Sequence, residues 1–214
     1  MMVNFLEPDL IGWTAIASGV IWLIQYVFLG LMFAVTVSPY GTLSDISYLL
    51  GAILMLPFML AFYDLLRPDQ PTATLLALLV GMAGVLLITV AQIRLMIGQI
   101  SLEQNMPTVT LGTGLIGISV LITILLSRSN PQMPTGFLWL GIVVGVSLGV
   151  VGILAGVLLP KDIYLMMTGG LDWSNLNPLL YVIFVAAPIS QLGYPVWAIW
   201  LGRLILNNHI LPTA

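Results

Sequence analysis

Two ionisable residues of opposite sign, Asp45 and Arg94, stand inside long apolar stretches of this chain. A charge surrounded by hydrocarbon costs at least a few kcal/mol unless it is paired or reaches water, so each needs a partner or an exit. The stretches that carry them flank the turn from Pro68 to Pro71, and residues equidistant from the centre of such a turn lie at equal depth on the two arms of a helical hairpin. Asp45 and Arg94 are equidistant from it, which makes a bidentate ion pair geometrically available. The competing reading has Asp45, beside Ser44, capping its helix while Arg94 snorkels to the headgroups. Asp64 and Arg67, three apart, have the spacing of a solvated contact at a helix end.

A second group of polar residues lies near mid-depth. The last apolar stretch holds Pro188 and Pro195 with Ser190, Gln191, Gly193 and Tyr194 between or beside them. Each proline lacks an amide hydrogen and crowds the carbonyl four residues earlier, so the carbonyls of Phe184 and Gln191 lose their helical donors. In lipid such groups must meet protein, water or ligand. Gln25 and Tyr26 fall near the middle of the first stretch and Gln92 outward in the third, and together these residues define a polar pocket at a helix broken around Pro188, Gly193 and Pro195. Secondary transporters build substrate sites this way, although a satisfied kink needs no ligand. A third pattern is smooth rather than polar: Gly141, Gly145 and Gly149 recur every four residues, and Gly152 and Gly156 continue one register over. The face they make lets another backbone approach closely, either from the same chain or from a second copy.

The residue inventory excludes much catalytic chemistry. There are no cysteines and one histidine, His209, so thiolate, iron–sulfur, bis-His haem, zinc-peptidase and Ser-His constellations are not expected. Lys161, the one lysine, sits beside Pro160 at a helix end, where a buried Schiff base is not expected. No phosphate loop and no regular arginine series appear. No catalytic residues, metal site or cofactor are therefore expected. The formal charge of −3 with five scattered cations offers nucleic acid no basic patch and anionic lipid no polybasic segment.

The elements that must position these residues follow from composition. Of the 214 residues, 60% are hydrophobic and 6% charged, against about 25% charged in soluble domains. Lipid is the solvent this requires. A span takes about twenty apolar residues, and six stretches qualify: Leu10 to Val37, Leu43 to Leu66, Ala73 to Ile97, Thr108 to Ser127, Gly136 to Leu159 and Leu176 to Leu206. The expected fold is all-α, one polytopic bundle of six transmembrane helices. Between the spans lie turn sequences, among them Ser38-Pro39-Tyr40-Gly41 and Ser129-Asn130-Pro131, and a longer outer segment from Pro160 to Asn175. Glu7 and Asp9 stand where a cleavable signal carries cations, so no signal peptide is expected. Arg67, Arg128 and Arg203 fall on the side of both termini, with Lys161 and Arg94 opposite. The positive-inside rule then places both termini in the cytoplasm. Trp13, Tyr40, Tyr63, Tyr164 and Trp173 sit near span ends, where aromatic rings anchor at the interface.

Ser44-Asp45 opening the second span and Leu60-Ala61-Phe62-Tyr63-Asp64-Leu65-Leu66-Arg67-Pro68 closing it resemble a bacterial multispanning membrane family catalogued as a domain of unknown function. Gly202, followed after eight residues by Leu211-Pro212, resembles that family's last turn. The resemblance implies a multispanning protein of the bacterial cytoplasmic membrane and supplies no chemistry and no functional residues. Two functional classes follow from the residues themselves. One is a non-catalytic membrane protein that packs, regulates or senses through a homo-oligomer or another membrane protein. The other is a transporter of a small neutral solute or lipid with a site at the sixth helix. A transporter calls for a cavity reaching Gln25 and Gln191; a packing protein fills that space with side chains.

Overall fold

The structure, a computed structural model, describes residues 7–35 and 39–207. His209, Leu211 and Pro212 lie outside the described residues. The described chain is helical: α1 (Pro8–Ala34), α2 (Pro39–Ile53), α3 (Leu56–Leu66), α4 (Pro71–Met96), α5 (Leu102–Leu126), α6 (Thr135–Ile153), α7 (Pro160–Thr168) and α8 (Pro178–Leu206). Among the described residues there is no strand. Six helical runs are long and apolar enough to cross a membrane, α2 and α3 together making the second. Proline occupies one of the first two positions of α1, α3, α4, α7 and α8, where its fixed φ suits a helix and its missing N–H is not needed.

The spans pack as neighbours in chain order. α1 packs on α2, α2 and α3 on α4, α4 on α5, α5 on α6, α6 on α8, and α8 closes the ring on α1. Every contact is antiparallel. Gly12 near the start of α1 lies against Gly202 and Leu206 near the end of α8. Ser18 and Gln25 reach Gly51 and Ser44 on α2. One end of the bundle therefore carries the start of α1, the end of α8 and Arg67, Arg128 and Arg203. The other, called the far end here, carries Arg94, Lys161 and α7.

Polarity is inverted relative to a soluble domain. Leu76, Leu86, Val185 and Leu192 are all more than half exposed, whereas Ser18, Gln25, Gln92, Asn105 and Ser119 are buried. Apolar surface outside and polar groups turned inside is the arrangement lipid selects. Hydrophobicity does not drive helices together in that solvent, so close backbone packing must. A Cβ on Gly84 would stand 2.5 Å from the carbonyl oxygen of Gly112, and one on Gly152 would overlap the backbone of Gly114.

Three expectations require correction. The second span is interrupted at Leu54-Met55, where Pro57 leaves the Ile53 carbonyl without its helical donor. α8, by contrast, runs unbroken through Pro188, Gly193 and Pro195. Buried side chains on both sides of Pro195, from Tyr194 to Leu201, hold the helix in line although two carbonyls lose donors. The fourth span begins at Leu102 rather than Thr108: Ser101 and Gln104 form a capping box, with Gln104 N–H donating to Ser101 Oγ at 3.3 Å and Ser101 N–H to Gln104 Oε1 at 3.0 Å. The outer segment contains α7, which ends at Gly169 with φ +78°, and the fifth span passes through a π-helical turn, Leu154–Leu158, before reaching it.

Candidate functional site

The far-end half of the bundle holds a layer of buried polar side chains from α1, α2, α4 and α5. α1 brings in Trp22, Gln25 and Tyr26. Gln25 Nε2 donates to Ser44 Oγ on α2 at 3.2 Å, and next to Ser44 stands Asp45, half-buried and six residues in from Pro39. Among the groups that act on the Asp45 carboxyl is the Gln92 side-chain amide of α4. One turn along α2, Tyr48 meets Thr113 of α5. Thr113 directs its own proton to Val109 O at 3.0 Å, so the Tyr48 phenol is the donor. The α4–α5 register that sets Gly84 against Gly112 and Gly81 against Ser119 carries Gln92 to the level of Asn105.

Four polar atoms of this layer have no hydrogen-bond partner within the protein: Gln25 Oε1, Gln92 Oε1, Asn105 Oδ1 and Trp22 Nε1. Their residues are 7%, 3%, 3% and 0% exposed. A buried polar group left unmatched costs about 1–3 kcal/mol, and here three of the four are carbonyl oxygens gathered at one end of one bundle. Trp197 Nε1, the other unmatched group of this kind among the described residues, lies apart from the layer, against Gly141.

Below the layer the interior is aromatic. The Trp22 ring contacts those of Tyr26, Tyr48 and Tyr194, at centroid separations of 6.3, 5.2 and 4.5 Å. Tyr194 leads to Trp197 at 6.3 Å, and Trp197 packs on Phe58 at 6.1 Å and stacks on Phe137 at 5.4 Å. Five helices contribute to this one chain of rings, which runs through the interior from the layer to Phe137 in the first turn of α6. A relay ties it to the backbone: Ser18 Oγ donates to Gly51 O at 2.9 Å, so Tyr194 Oη donates to Ser18 at 2.7 Å.

The residues singled out from sequence separate into groups. Gln25 and Tyr26 on α1 and Gln92 on α4 lie at the level of the layer, Gln25 bonded to Ser44 and Asp45 beside Gln92. Tyr194 joins through Trp22 and Ser18. Ser190 is buried and spends its hydroxyl on Ala187 O of its own helix at 2.8 Å. Gln191 is exposed on the outer face of α8. Arg94 is exposed in the last turn of α4, where a cation complements the helix dipole, and it is not among the groups acting on Asp45. Equal depth fixed height but not direction: residues two apart on a helix point about 200° apart, so turning Gln92 inward turns Arg94 out. Arg67 lies over the Tyr63 ring at 5.7 Å. Of the glycines, Gly141 lies against Ile124 and Trp197, Gly145 against Leu121, Gly152 against Gly114 and Gly156 against Leu111, whereas a Cβ on Gly149 would meet Ile118 at an ordinary 3.6 Å. Sequence reasoning missed Ser18, Trp22, Ser44 as a bonding partner, Tyr48, Asn105 and Thr113. The Ser101–Gln104 capping signature could have placed Asn105 inside a helix.

The loop over the far end is organised by Asp172. Its Oδ1 accepts from Ser174 N–H at 2.9 Å and Ser174 Oγ at 2.7 Å, and its Oδ2 from Asn175 at 3.2 Å; these donors hold the exposed carboxyl below the usual aspartate range. Trp173 stacks on Phe184 at 6.1 Å. Among the described residues no three of His, Cys, Asp or Glu come together as a metal site. What the layer can do chemically is accept hydrogen bonds around one carboxylate. No protein-family model, no curated protein and no solved structure matches the chain.

Proposed function

We propose that this integral membrane protein is non-catalytic and non-conducting, a packing, regulatory or sensing module whose far-end polar layer is where a small ligand registers. The aromatic chain carries this reading: Trp22, Tyr194, Trp197, Phe58 and Phe137 are each at most 1% exposed and occupy the mid-bundle space through which a solute would have to pass. The termini are cytoplasmic, by the three arginines at their end. Gly141, Gly145, Gly152 and Gly156 are spent on neighbours within the chain, so a second copy or another membrane protein docks on the exposed apolar faces instead.

The test is permeation. Purified protein reconstituted in liposomes is exposed to an osmotic step of urea or glycerol, followed by light scattering. Rates equal to those of empty vesicles are expected; faster, saturable permeation overturns the reading. That outcome would favour the second reading, a transporter of a small neutral solute or lipid, for which the unmatched amides of Gln25 and Gln92 argue.

A further inference from the structure

We infer that the far-end polar layer binds a small ammonium group, held by the Asp45 carboxylate and the unmatched carbonyl oxygens of Gln25, Gln92 and Asn105. The inference rests on reading the layer as a ligand site and names the class of ligand. Three observations carry it. First, each unmatched amide atom in the layer is an oxygen, so the missing partner is a hydrogen-bond donor; the unmatched donor Trp22 Nε1 lies against Gly51, deeper in the bundle. Second, Asp45 brings a negative charge that no cation among the described residues answers. Arg94 is turned outward, and the group beside the carboxyl is the neutral amide of Gln92. A buried charge is tolerated when it is paired. Third, the Trp22, Tyr26 and Tyr48 rings cluster at the layer, and aromatic faces attract cations.

An alkylammonium group satisfies all three. It supplies three N–H donors from one centre, a single positive charge for a single carboxylate, and a short apolar tail for the rings. A divalent cation is a poorer match, because hard divalent ions are usually held by more than one carboxylate and no acidic cluster forms here. Entry is from the far end, where Asp45 is half-buried and the helices that carry the layer terminate.

The full-length protein in mild detergent is titrated with methylammonium chloride, with sodium chloride at equal ionic strength, and with urea as a neutral donor of similar size. Tryptophan fluorescence and thermal unfolding are both read. A saturable response to methylammonium alone is expected, weakened at least about tenfold in Asp45→Asn and in Gln92→Leu, the scale of one charge-assisted hydrogen bond, and unchanged in Arg94→Gln. An equal response to sodium chloride overturns the ammonium assignment, an equal response to urea overturns the role of the charge, and no saturable response overturns the site. Should Asp45→Asn fail to fold, the selectivity of the unmodified protein among the three solutes decides. Permeation in vesicles would defeat the non-conducting reading without touching this result, so the two failures are distinguishable.

Discussion

Asp45 lies six residues inside its span, and its surroundings show what sequence can and cannot locate. Hairpin arithmetic placed it at the depth of the outer end of α4, and the structure finds Gln92, two residues from Arg94, beside it. Depth was legible because it depends on rise per residue alone; direction was not, because it depends on which face of α4 the whole ring of helices turns inward. If Arg94 takes no part in holding Asp45, thermal unfolding of Asp45→Asn, Arg94→Gln and the double variant should be additive within about 0.5 kcal/mol, and a larger coupling would restore the ion pair. Tyr194→Phe should destabilise by about 1 kcal/mol, because it removes the donor to Ser18 while leaving the ring in contact with Trp22. An unchanged melting temperature would show the relay to be incidental.

The same chemistry has opposite outcomes in two elements. Pro57 coincides with the interruption between α2 and α3, whereas Pro188 and Pro195 stand within continuous α8. Each proline removes one hydrogen bond; whether a helix stops there is decided by side chains far away in sequence, and for that reason the broken element was misplaced. Restoring the donor with Pro57→Ala should slow amide exchange across Leu54-Met55, and unchanged exchange would mean that packing, not the proline, interrupts the span. The glycine face gives a sharper contrast. Gly152→Ala drives a Cβ into the Gly114 backbone and should cost about 1–3 kcal/mol as overpacking, while Gly149→Ala, with Ile118 at 3.6 Å, should leave the melting temperature nearly unchanged. Equal effects at the two positions would remove close α5–α6 approach as the basis of that contact. Four-residue spacing exposed the glycine face in the sequence, yet it could not say that the Cβ position of Gly149 is open while its backbone N lies 2.5 Å from where a Cβ on Gly117 would stand.

At the scale of the molecule, composition carried the most. A chain with 6% charged residues already required lipid, and the six spans followed from length and turn chemistry. The polar layer was half legible: Gln25, Tyr26 and Gln92 stood out as amides and a phenol in apolar surroundings, but Asn105 fell between the spans ending at Ile97 and starting at Thr108, and Gln191 was placed at a midplane pocket when it faces outward. Ring closure, which brings α1, α2, α4 and α5 together around the layer, is a long-range property that no local pattern encodes. The central claim is that six alternating spans set Asp45, Gln92 and Asn105 toward one side of a membrane and both termini toward the other. Because the chain contains no cysteine, single cysteines at Gln70, Ser129, Gln99 and Ser174 can be labelled with an impermeant maleimide in intact and in permeabilised cells. The account predicts labelling of Gln99→Cys and Ser174→Cys in intact cells and of Gln70→Cys and Ser129→Cys after permeabilisation alone; all four reacting from the same side would contradict it.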